Sequence, residues 1–146
     1  MQDKVEQVAF SRAEVLALWA KAVRKLRDAG IVGVSTDTAL ETAYAAGRIG
    51  AVALLGSRHL RVRAKQGHHE LTFAAVAALG LPGLGDLQMT SAEVRADRRD
   101  ADYAPEEATA AQVAHATAWA KATLPPMRAA LVAGDAVLAA RLDPVP

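Results

Sequence analysis

The sequence predicts an all-α protein, an up-and-down bundle of four to five helices. Three observations carry this. Alanine, the residue with the best helix propensity, fills 35 of the 146 positions. Aromatic residues make up only 4%, so a main class of strand formers is scarce. Capping residues, glycines and prolines punctuate the chain at short intervals, as the connections of a bundle do. The length suits one domain spanning 1–146. Its core is expected over about 11–133, with 134–146 open between docking and fraying. A chain of this size hides about two-thirds of its unfolded surface and needs no metal or disulfide to fold.

The elements follow in order. Ser11-Arg12-Ala13-Glu14 is a capping box. Val15, Leu18, Trp19, Ala22, Leu26 and Ala29 then form one apolar stripe, and Gly30 is a natural stop. A second helix starts near Ser35 or Asp37. Leu40, Ala43, Tyr44, Gly47, Ala51, Leu54 and Leu55 make its main stripe, while Ile49 and Val52 lie on other faces. A helix apolar on several sides is expected to be central, and Gly56 is expected to end it. Residues 57–69 break the pattern as a basic connection. Glu70 to Leu79 reads as a short third helix with Leu71, Ala74, Ala75 and Ala78 inward, followed by the loop Gly80-Leu81-Pro82-Gly83. The fourth helix runs from about Leu84 to Tyr103, or starts at the second capping box Thr90-Ser91-Ala92-Glu93. Thr109-Ala110-Ala111-Gln112 caps a fifth helix carrying Val113, Ala116, Ala120 and Leu124. Pro125-Pro126 either kinks it or begins another helix. Met127 to Leu142 is helical by composition, with Gly134 as a break.

Composition also narrows function. No apolar run approaches the length of a membrane span. The mixed-charge start MQDKVEQVAF lacks the pattern of a signal peptide. There is no cysteine, hence no disulfide scaffold or thiol nucleophile, and a reducing, cytoplasmic setting is expected. The net charge of +1, from 17 basic and 16 acidic residues, argues against a protein that coats nucleic acid nonspecifically. Any such contact must be local. No phosphate-binding glycine loop, dinucleotide fingerprint or nucleophile elbow occurs, so no cofactor is expected. His68 and His69 are adjacent and diverge by about 100° on a helix, so no metal site is expected either.

Two constellations remain. In Arg95–Tyr103, Arg98 sits about 40° from Val94 and about 60° from Ala101 around the helix, and so leans toward the apolar side. Arg99 and Tyr103 point away. Arg98 either pairs within its own helix, with Asp97 and Asp102, or lines a polar cleft for phosphate or RNA with Tyr103 and Asp100. The second constellation is the basic connection. Between Glu41 and Glu70 there is no acid, while Arg48, Arg58, Arg61, Arg63 and Lys65 are present. If the connection is extended, Arg61 and Arg63 point the same way. Arg61, Arg63 and Lys65 then form either an anion-binding strip or a solvated loop that balances the acidic stretch Asp97 to Glu107.

Two segments together resemble the HEPN superfamily of small bacterial helical bundles. They are the second-helix stretch Ala39-Leu40-Glu41-Thr42-Ala43-Tyr44-Ala45-Ala46-Gly47-Arg48, leading to a basic bend and Gly67-His68-His69, and the arginine-rich Arg98-Arg99-Asp100-Ala101-Asp102-Tyr103. The resemblance implies a homodimeric bundle from a toxin–antitoxin or phage-defence module, a ribonuclease or its partner, with a nucleotidyltransferase antitoxin as the partner to expect. It also implies an arginine followed by a polar residue, with a histidine a few residues on. Arg99-Asp100 supplies the first part. Counted from Arg98 the histidine position is Tyr103, and no histidine lies within six residues downstream of either arginine. A tyrosine, with an ordinary pKa of about 10, is a poor general base at neutral pH. The expected function is therefore a binding or regulatory module for RNA or a nucleotide. An active ribonuclease would need Arg98, Arg99 and Tyr103 to be completed by His68 or His69 from the third helix. A self-associating structural protein is the third reading.

Overall fold

A computed structural model describes residues 5–63, 68–103 and 105–146, without the side chains of residues 68 and 100–102. The architecture is an all-α bundle of five helices with a small two-stranded ribbon. Helix α1 spans Arg12–Ala29, α2 Thr36–Ser57, α3 His68–Ala78, α4 Leu87–Tyr103 and α5 Ala110–Gly134. Strands β1 (Val5–Gln7) and β2 (Leu60–Val62) pair antiparallel, with Glu6 opposite Arg61.

The capping chemistry works as the sequence suggests at three helices. Ser11 and Thr109 each close a complete capping box, with Glu14 and Gln112. Ser35 caps α2 by accepting from the Thr38 backbone N–H. These contacts satisfy backbone donors that the first turn leaves without intrahelical partners. Thr90 does not start α4. The helix begins at Leu87, and the Thr90 hydroxyl bonds back to the Leu87 carbonyl while accepting from the Trp119 indole N–H at 3.2 Å. Gly56 does not end α2, which continues to Ser57 before His59 turns with a positive φ of 59°.

Helix α2 is the hub. It packs against α1, α3, α4 and α5, and thirteen of its 22 residues are buried. Two glycines allow the close approach of α5. A Cβ on Gly47 would lie 2.2 Å from the Trp119 ring, and one on Gly50 would lie 2.7 Å from Leu124. The third helix buries Ala74 and Ala75 and packs Leu71 against the core, as expected, but Phe73 and Val76 are in the core as well and Ala78 is exposed. Its apolar residues are too evenly spread for periodicity to choose a face.

Helix α5 runs unbroken through Pro125 and Pro126, so the prolines start no new helix. Proline lacks a backbone donor, and the carbonyls of Lys121 and Ala122 go without that intrahelical bond. The α-helical stretch breaks at Gly134, the break the sequence allows, and does not resume as α-helix toward Leu142. A 3-10 helix over Ala136–Ala140 follows, and it docks. Leu138 and Leu142 are buried, and the fully buried Trp19 donates its indole N–H to the Asp143 carbonyl at 2.9 Å. No helix among the described residues is long and apolar enough to cross a membrane.

Candidate functional site

Helical arithmetic turns Arg98 toward the apolar side of α4, and the structure places its guanidinium against α2. The guanidinium carbon lies 5.4 Å from the centre of the Tyr44 ring, within cation–π range. Glu41 is 3.7 Å away, one helical turn before Tyr44. The Arg98 side chain retains 27% exposure. Arg98 thus reaches across to α2, while the Asp102 side chain, the other intrahelical partner that the sequence offers, lies outside the described residues. Asp97, the neighbouring acid, is instead 2.9 Å from His115 of α5.

Tyr44 is the floor of this cleft. Its ring stacks on Trp119 at 5.9 Å and meets Phe73 edge-on at 5.8 Å. His69, at the start of α3, comes to 6.3 Å from the same ring. Burial pushes the Tyr44 hydroxyl above its ordinary pKa, and the positive charges of Arg98, Arg95 and Arg48 pull it back. Three arginines from two helices therefore converge on one phenol. Two exposed acids answer them. Glu70 pairs with Arg95, and Glu41 stands beside Arg98. The Nε atoms of Arg95 and Arg98 are buried with no hydrogen-bond partner. A cavity of about 170 Å³ opens next to Tyr44, lined by Glu70, Phe73, Gln88, Ser91 and Arg95.

The remaining candidates separate. Tyr103 is 86% exposed and Arg99 is exposed, so neither lines the Arg98 cleft. Five residues from Arg98 is about 140° around a helix, which turns Tyr103 away. Arg61 and Arg63 do point the same way, but both meet Glu6 of the ribbon, at 2.5 and 3.5 Å. Among the described residues, the acid that balances them is Glu6 of β1. Lys65, the His68 side chain and the Asp100 side chain lie outside the described residues. Among the described residues no cluster of histidines and acids could hold a metal ion. Tyr44 is absent from both sequence constellations, and Arg95 and Arg48 belong to them without being singled out. Tyr44 reads as one more member of an apolar stripe, and only the packing of α4 on α2 gives it a role.

A larger cavity of about 440 Å³ is lined by Phe10, Arg12, His59, Leu131, Asp135 and Leu138, among others. Of its two lining arginines, Arg12 holds Asp135 through two nitrogens, at 2.7 and 3.2 Å, and Arg58 is exposed at the rim. The bidentate pair takes up the Arg12 charge.

Compared with protein-family models, with curated proteins and with solved structures, the chain matches none.

Proposed function

We propose that this protein is a binding module of the HEPN-like kind, acting in the cytoplasm, whose α2–α3–α4 cleft takes a phosphate-bearing ligand, RNA or a nucleotide. The observation that carries the reading is the convergence of Arg48, Arg95 and Arg98 on Tyr44, with Glu41 and Glu70 the acids that pair with them among the described residues. A half-buried guanidinium with an unused buried donor is costly without an anion, and a phosphate supplies both charge and acceptors. The toxin–antitoxin setting, with a nucleotidyltransferase partner, comes from the HEPN resemblance alone.

Arg98→Ala tests this directly. The loss of one charge-assisted contact should weaken binding of a short oligouridylate or a uridine nucleotide about 10- to 100-fold. The circular-dichroism spectrum should stay that of the parent. An unchanged isotherm, or a parent that binds neither probe, ends the proposal. Recovery of uncut RNA after incubation separates binding from ribonuclease activity. His69 near the Tyr44 ring is the observation that favours the ribonuclease reading, and cutting that His69→Ala abolishes would establish it.

A second reading, self-association as a homodimer, rests on a different surface. Ala110, Val113, Ala114, Thr117 and Ala118 of α5 line an open groove with Thr36. Light scattering over a concentration series should show a mass that rises toward twice the monomer. A constant monomer mass removes this reading.

A further inference from the structure

The Arg98 cleft is one of two cationic sites flanking α2. On the α1 side, a cavity of about 260 Å³ is lined by Lys21, Lys25, Thr38, Glu41, Thr42 and Arg48, among others. Lys21 and Lys25 are four residues apart on α1 and so share one face. Arg48 is half-buried; burial lowers its pKa, Tyr44 pulls it back up, and the nearby charge of Arg98 lowers it further. Among the described residues, none of these three cations makes a hydrogen bond or an ion pair. The one acid of the lining is Glu41, which also stands 3.7 Å from Arg98. Three cations therefore share an acid that is already beside a fourth. Arg48 and Glu41 also tie the two sites together, because both belong to α2 and each interacts with Arg98.

We propose that Lys21, Lys25 and Arg48 form a second anion subsite, and that the ligand is a single-stranded nucleic acid whose backbone passes from the Arg98–Tyr44 cleft over α2 onto α1. The proposal rests on the reading of the first cleft as a phosphate site and adds the ligand's class and path. A lone phosphate cannot serve both, since Lys21 and Arg95 line separate cavities on the α1 and α4 flanks of α2. A phosphodiester chain repeats its charge along its length. It also carries bases between the charges, whose polar edges the exposed Gln88 amide of the lining can meet by hydrogen bonding. The small net charge of the whole chain fits a contact confined to one such track.

The test is the salt dependence of oligouridylate binding, followed by fluorescence anisotropy. For single strands the logarithmic slope is about −0.7 for each phosphate neutralised, so Lys21→Ala/Lys25→Ala should make the slope shallower by about 1.4. Uridine monophosphate, too short to span the track, should bind the parent and this double variant equally. Arg24→Ala/Arg27→Ala, which removes the same charge from exposed positions elsewhere on α1, should leave the slope unchanged. An unaltered slope in the lysine variant, or an equal change in the arginine control, overturns the second subsite. If Arg98→Ala still weakens nucleotide binding in that case, the first cleft stands alone. A parent that binds neither probe removes both.

Discussion

At the scale of single residues, the site depends on a position with no side chain. Gly47 leaves room for the Trp119 indole, which carries the Tyr44 ring on its face. Gly47→Ala should therefore destabilise the protein by about 1–3 kcal/mol through overpacking. That outweighs the roughly 1 kcal/mol that alanine gains over glycine inside a helix. Gly134→Ala, where an added Cβ meets nothing within 4 Å, should change stability by no more than about 0.5 kcal/mol. Thermal melts of the two variants check both values, and equal melting temperatures would contradict the packing argument. Residue-level reading from sequence succeeded where one helix settles the question. Arg98 leans inward because of its angle from Val94. The angle says nothing about which neighbouring helix receives it, so Tyr44 and Glu41 were out of reach.

At the scale of elements, caps were the most legible feature, because Ser11, Ser35 and Thr109 act through bonds only three residues long. Contacts between distant elements were not. The β1–β2 ribbon joins positions more than fifty residues apart, and a three-residue strand gives too few alternations to register a period. The docking of the C-terminal stretch is the same kind of contact. Arg128 donates to the carbonyls of Ala139 and Leu142, and Leu138 fills a fully buried position. Leu138→Ala should cost about 2–5 kcal/mol and shift the Trp19 emission to the red as the tail loosens. Chemical denaturation monitored by tryptophan fluorescence measures both, and an unshifted spectrum with full stability would show that the tail seals nothing.

At the scale of the whole molecule, the all-α class was readable because composition and capping agree along the chain, whereas the cleft arises only when α4 is laid on α2. Stability should depend on pH in a way that tracks two surface clasps. Arg12 holds the Asp135 carboxyl below its usual range, and Arg61 does the same for Glu6. For a lowered carboxylate pKa, the contribution is fully present above the ordinary values, 3.8 for Asp135 and 4.5 for Glu6. It is lost as pH falls through the lowered values. The raised Tyr44 pKa works in the opposite direction. Its contribution is present below about 10 and is lost as pH rises beyond it. Melting temperature against pH should therefore fall at both ends. Glu6→Gln and Asp135→Asn should flatten the acid limb, and an acid limb identical to the parent's would refute the clasps.

The ring ladder beneath Arg98 has a practical consequence. Trp119 lies directly under Tyr44 and donates its indole N–H to Thr90 of α4, while the only other tryptophan, Trp19, is fully buried with its N–H bonded to the Asp143 carbonyl. The molecule thus carries its own optical gauge: occupancy of the crevice should alter near-ultraviolet ellipticity through one indole and leave the other silent, so a titration needs no attached dye.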